Sequence, residues 1–181
     1  MQLQRRLTLK NTDANTRACK LCRKGEYEIM KASNGKNVII SVKGIQNGIE
    51  DAKNSADLIE LITEGKYYKK GDAFYVTYKE SEVTGMEGTT TTLKVSGNVV
   101  TLMRFGSINS QFVFERGIKH ISYYETPFGV FTVGVLANDV SVALDDHGGQ
   151  IKVDYEIDID NQKTSINDFH IQIRKAGHRN G

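Results

Sequence analysis

Apolar and polar residues alternate strictly towards the C-terminal end of this chain. Ile151, Val153, Tyr155, Ile157 and Ile159 are interleaved with Lys152, Asp154, Glu156, Asp158 and Asp160. Successive side chains on a strand point to opposite faces, so this pattern predicts an antiparallel strand with one buried face and one solvated face. Weaker versions of the pattern recur from about residue 37 onwards. Val38, Ile40 and Val42 alternate; Ile59, Leu61 and Tyr67 share a face; Phe74, Val76 and Tyr78 alternate. Thr89 to Val95 is β-rich in composition, and Ser96-Gly97-Asn98 reads as a hairpin turn into Val99–Phe105. Phe112 and Phe114 alternate before Arg116-Gly117. In Ile118 to Thr126, Ile121 and Tyr123 take one face, and His120, Ser122, Tyr124 and Thr126 take the other. Val130 to Asn138 and Val140 to Leu144 read as two strands, and Gln150–Asp160 and Phe169–Arg174 close the set. The polar stretch from Gly48 to Ala56 reads as a loop, and Val83 to Gly88 as a glycine-containing loop or bulge.

Strand follows strand through short connections with no helical interval. That succession predicts an all-β fold: an antiparallel up-and-down β-barrel of about 8–10 strands, closed so that no edge is exposed. A chain of 181 residues suffices for one such domain with a sizeable core.

Charge divides the chain unevenly. Overall the formal net charge is only +2, but residues 1–36 hold nine Lys or Arg against three Asp or Glu, leaving 15 against 19 in the remainder. The expected organisation is a basic, unstructured extension over residues 1–35, a mildly acidic barrel over 36–175 and a short tail over 176–181. A basic extension can touch phosphates, yet an acidic barrel is a poor nucleic-acid surface, so a nucleic-acid partner is not expected. Lys24-Gly25-Glu26 can be encoded by a purine-rich ribosome-binding sequence just before Met30. We therefore expect residues 1–29 to be translated upstream sequence and Met30 to be the native start. Cys19-Lys20-Leu21-Cys22 has no second CxxC and no strand–helix context, so neither zinc nor a redox role is expected of it. No apolar stretch approaches the ~20 residues of a membrane helix, and residues 1–30 lack a signal-like apolar block. The expectation is a cytoplasmic protein with no membrane partner.

Several blocks carry a resemblance. Glu82-Val83-Thr84-Gly85-Met86-Glu87-Gly88-Thr89-Thr90-Thr91-Thr92, Met103-Arg104-Phe105-Gly106, Ser110-Gln111-Phe112-Val113-Phe114-Glu115 and His120-Ile121-Ser122-Tyr123-Tyr124-Glu125-Thr126-Pro127-Phe128-Gly129 resemble the YwiB-like family of small bacterial proteins of unknown function. So does Asp154-Tyr155-Glu156-Ile157-Asp158. The resemblance spans roughly residues 36–175 and implies a calycin-like, lipocalin-type barrel in a cytoplasmic protein. It implies no activity.

Among single residues Arg104 stands out, set between Met103 and Phe105 in an otherwise apolar strand and sharing a face with Leu102. If that face lines the barrel, a guanidinium lies in an apolar cup, and leaving it unpaired costs about 3–5 kcal/mol. Either a carboxylate (Glu80, Glu82 or Glu115) or an anionic ligand must answer it, and the guanidinium fork suits carboxylate or phosphate. Alternatively Arg104 faces solvent. Gln111, His120, Tyr124 and Thr126 carry hydrogen-bonding tips on neighbouring strands and are the expected companions of Arg104 in a ligand site; the competing reading is an outward polar row. The Thr89–Thr92 run reads as strand composition. The acids Asp154, Glu156, Asp158 and Asp160 line a single solvated face, whereas a hard cation needs convergent oxygens, so no metal is expected. Most of the tyrosines are expected in the core rather than stacked on bases.

Two readings result. In the first, a non-enzymatic barrel binds a small molecule inside, an anion being what Arg104 suggests, and no cofactor is needed. In the second, a filled barrel acts through its surface on a protein or RNA partner. A nucleophile–base pair for an enzyme is not visible in the sequence.

Overall fold

The structure is a computed structural model, and it describes residues 35–48, 57–126, 129–159 and 162–177. Ten strands follow in chain order: β1 (Lys36–Gly48), β2 (Asp57–Lys70), β3 (Ala73–Lys79), β4 (Thr89–Ser96), β5 (Val99–Gly106), β6 (Asn109–Phe114), β7 (Lys119–Thr126), β8 (Gly129–Asp145), β9 (Gly148–Ile159) and β10 (Gln162–Lys175). A short 3-10 helix, Glu82–Thr84, lies between β3 and β4 and stops at Gly85, whose φ of 68 places it in the left-handed region. Each strand pairs antiparallel with the next, and β1 pairs with β10, so the meander closes on itself. This is the all-β antiparallel barrel that the alternation predicts. The expected extension over residues 1–35, with the CxxC and Met30, falls almost wholly outside the described residues, as do the Gly48–Ala56 loop beyond Gly48 and the end of the tail. Ala176, placed in the tail by its composition, still donates its backbone N–H to Asn37 O at 3.2 Å.

Interior positions follow the period-two pattern. On β9, Ile151 and Val153 are buried, with Tyr155 and Ile157 packed against the core, while Lys152 and Asp154 are exposed. The segment read as two strands between Val130 and Leu144 is one strand, β8. Its register against β9 shifts between Ala137 and Asp139. That bulge moves the inward set from Val133, Val135 and Ala137 to Val140, Val142 and Leu144, which imitates a break in the sequence pattern.

One end of the barrel is filled. Val38, Ile40, Val76, Val95, Val100, Val135, Ile151 and Val153 are all buried, and Tyr67 adds a hydroxyl that donates to Asp145 O at 2.6 Å. Above this packing Phe114, Tyr155 and Phe169 meet edge to face, with centroids 4.9, 5.3 and 6.0 Å apart. Gly65 on β2 allows the close approach that this curvature requires. A Cβ there would collide with Ile40 Cδ1 and with the carbonyl oxygen of Thr77.

The Gly65 contact yields a stability test. Gly65→Val should lower unfolding free energy by about 2–3 kcal/mol through overpacking. Gly177→Ala, with nothing near its Cβ position, should be neutral. Denaturant melts of both variants measure the difference, and a neutral Gly65→Val would contradict the packing described.

Candidate functional site

Beyond the aromatic floor the barrel is hollow. A cavity of about 390 Å³ is bounded by residues that include Leu102, Phe112, Phe114, Val133, Tyr155 and Phe169, with Tyr78, Glu80 and Arg104 among its polar members. That volume falls within the ~300–1,000 Å³ range of small-molecule sites.

Register explains why these residues meet. Antiparallel partners share a face, and Arg104 pairs with Thr91 on one side and Ser110 on the other. Both partners are buried, so Arg104 points inward. Of the three carboxylates expected as its partner, Glu80 is the one in reach, with Oε1 at 4.0 Å from Arg104 Nε. At that distance the two attract but do not share a hydrogen bond. Glu80 immediately follows β3, and its backbone N–H donates to Thr89 O at 2.9 Å, which ties it into the start of β4. Its side chain is only 2% exposed, against 20% for Arg104. Thr91 Oγ1 donates to Glu80 Oε1 at 2.5 Å, and the Tyr78 hydroxyl joins the same group. Among the described residues, the buried side-chain atoms without a hydrogen-bond partner are Ser81 Oγ, Arg104 Nε and Ser110 Oγ, and the last two belong to directly paired residues. Buried polar atoms are nearly always satisfied, so two orphans side by side require an explanation.

Titration follows from burial. Desolvation, then the neighbouring Glu80 carboxylate, pushes the Tyr78 phenol far above its ordinary 10.0, with Arg104 and Thr91 opposing. Desolvation raises Tyr155 as well, partly offset by Arg104. Both phenols are therefore neutral donors.

The expected companions of Arg104 divide. Gln111 pairs with Met103, one residue along from Arg104, so it lies on the outer face, is exposed and does not join Arg104. Its alternation with Phe112 and Phe114 already implied that side. His120 pairs in register with the buried Val135. Its Nε2 lies 3.1 Å from Glu115 Oε2, and it is not among the cavity-lining residues. Tyr124 pairs with Ser110, the residue paired with Arg104, and Thr126 pairs with Gly129; the side chains of Tyr124 and Thr126 lie outside the described residues. Ile121 and Tyr123, the apolar face of β7, point outward and are 54% and 63% exposed, so Tyr123 is not a core tyrosine. Tyr67 and Tyr78 are buried, and Tyr68 stacks on Tyr75 at 5.0 Å. Thr91, read as strand composition, is fully buried and holds Glu80. Sequence reasoning passed over Tyr78 and Ser110; their inward parity was the available signal. Among the described residues no group of three or more His, Cys, Asp or Glu could hold a metal ion, and no helix is long and apolar enough to cross a membrane.

A closed ten-stranded antiparallel barrel with a partly hollow interior defines the class of this protein. The DUF1934 family, a domain of unknown function, matches residues 40–173, and the chain belongs to that family. It is similar to the uncharacterized beta-barrel protein YwiB of Bacillus subtilis (strain 168), at 27% identity over 134 residues, 74% of this chain and 92% of the relative. The crystal structure of ywiB protein from Bacillus subtilis superimposes with a TM-score of 0.68 at 22% sequence identity. That match covers 78% of this chain and 93% of the other.

The raised phenols give a pH prediction. A group whose folded pKa is raised contributes stability below its unfolded value and loses it as pH rises towards the folded value. Stability should therefore hold up to about pH 10, the ordinary phenol value, and fall above it as unfolding releases protons from Tyr78 and Tyr155. Denaturation midpoints measured between neutral pH and pH 11 would show the fall; a flat profile would contradict it.

Proposed function

We propose that this protein is a non-enzymatic barrel that holds a small molecule with an anionic head in the hollow end of its interior. The observation that carries this reading is Arg104 Nε, buried beside the cavity without a hydrogen-bond partner among the described residues. A ligand oxygen is the group that would satisfy it. The apolar walls would take the body of the ligand. We take the barrel to be calycin-like and the protein to be cytoplasmic, with neither nucleic acid nor membrane as partner. The outward row of Lys152, Asp154, Glu156 and Asp158 supports the last point, since a lipid-facing barrel carries apolar residues there. The hollow favours this reading over a filled barrel acting through its surface.

The test uses 8-anilino-1-naphthalenesulfonate, a fluorescent anion that brightens in apolar sites. It should bind saturably, and Arg104→Leu should weaken binding about 10- to 100-fold, the worth of a charged hydrogen bond. Arg104→Leu strands Glu80 as a buried charge, so Arg104→Leu/Glu80→Gln serves as the folded counterpart. Unchanged affinity in a folded variant would remove Arg104 from the site.

A further inference from the structure

Arg104 and Glu80 share the cavity but do not use each other's hydrogen-bonding capacity. Glu80 is fixed from the other side, by Thr91 Oγ1 at 2.5 Å and by the Tyr78 hydroxyl. It therefore balances the charge of Arg104 across 4.0 Å while leaving Arg104 Nε open. A ligand oxygen that meets Arg104 also comes close to a carboxylate that cannot swing away. One negative charge on the ligand gains from Arg104 and loses part of that gain to Glu80. A second negative charge finds no further cation among the described lining residues, and Asp168, the remaining charged residue there, is also acidic. Buried like charges are costly because the low-dielectric interior screens them weakly. The Ser110 hydroxyl, on the residue paired with Arg104, is likewise without a partner, but Ser110 is not among the lining residues. The lining also carries the uncharged polar residues Gln46, Thr84, Thr164, Ser165 and Asn167, and an apolar run past Leu102, Val133 and Ile157 reaches the partly exposed Ile159.

Resting on the ligand-binding reading above, we propose that the cavity takes a monocarboxylate with an apolar body, such as a medium-chain acid. Glu80 is then the specificity-determining residue that excludes dianions, phosphate monoesters included. Discrimination of this kind comes from a repulsive element as much as from an attractive one. The carboxylate accepts from Arg104 Nε, and the apolar body follows the apolar run of the lining towards Ile159.

The experiment is displacement of 1-aminoanthracene, a neutral fluorescent probe, by decanoate, decyl phosphate and decanol at about pH 8, where the phosphate ester carries close to two charges. In the unaltered protein decanoate should displace the probe at a concentration at least about tenfold lower than either competitor. Glu80→Gln, which keeps an acceptor for Thr91, should bring decyl phosphate to within about threefold of decanoate. Arg104→Leu/Glu80→Gln should erase the advantage of decanoate over decanol. Decyl phosphate competing equally in the unaltered protein would overturn the proposal, and that comparison stands whether or not a variant folds. So would a gap that Glu80→Gln leaves intact. If the probe binds and all three compounds displace it equally, the ligand-binding barrel survives and the carboxylate assignment fails. If the probe does not bind at all, both fail.

Discussion

Closure is the constraint on which this molecule depends. The first strand and the last pair over nearly their whole length, from Val38 with Lys175 to Gly48 with Ser165, and this turns a meander into a barrel. Once closed, the sheet has an inside and an outside, and period-two alternation assigns every strand residue to one of them. Apolar side chains on the inward positions supply the stabilisation that exposed strand edges would otherwise undermine. An inward polar residue then has no easy escape to water. The chemistry of this protein follows from that: Arg104 is interesting because the ladder partners on both sides of it face the core.

Packing within the barrel is unequal. β-Branched residues and Tyr67 fill one end, and the edge-to-face cluster of Phe114, Tyr155 and Phe169 forms a floor. Above the floor the walls separate and leave the cavity. Three features gather at that end: open volume, a loosely matched ion pair and two unsatisfied polar atoms. A filled barrel would gain from replacing such a pair with hydrophobic residues. Here the stability of the filled end offsets the cost of the polar cluster, which on the proposed function completes its hydrogen bonds with a ligand.

Much of this was legible in the sequence, and the failures have physical causes. The barrel could be read because alternation with short connections admits few other arrangements. Arg104 could be read because its neighbours Met103 and Phe105 make a charge conspicuous, and Glu80 was one of three carboxylates considered. Choosing among the three required cross-strand register, which a single chain does not display. Gln111 differs: strand adjacency was right, but its alternation with Phe112 and Phe114 already placed it on the other face. Thr91 was passed over because threonine is common in strands, and only burial distinguishes an ordinary one from one that anchors a carboxylate. The bulge between Ala137 and Asp139 inverted the pattern in mid-strand and made β8 look like two strands.

Native mass spectrometry can decide whether the hollow end holds a molecule. The protein would be purified rapidly from the cells that make it and weighed both native and denatured. A discrete excess mass is expected on the native protein and should disappear on denaturation. The excess should be absent from Arg104→Leu/Glu80→Gln. Equal native and denatured masses would contradict a ligand held at Arg104, as would an excess that the double variant retains.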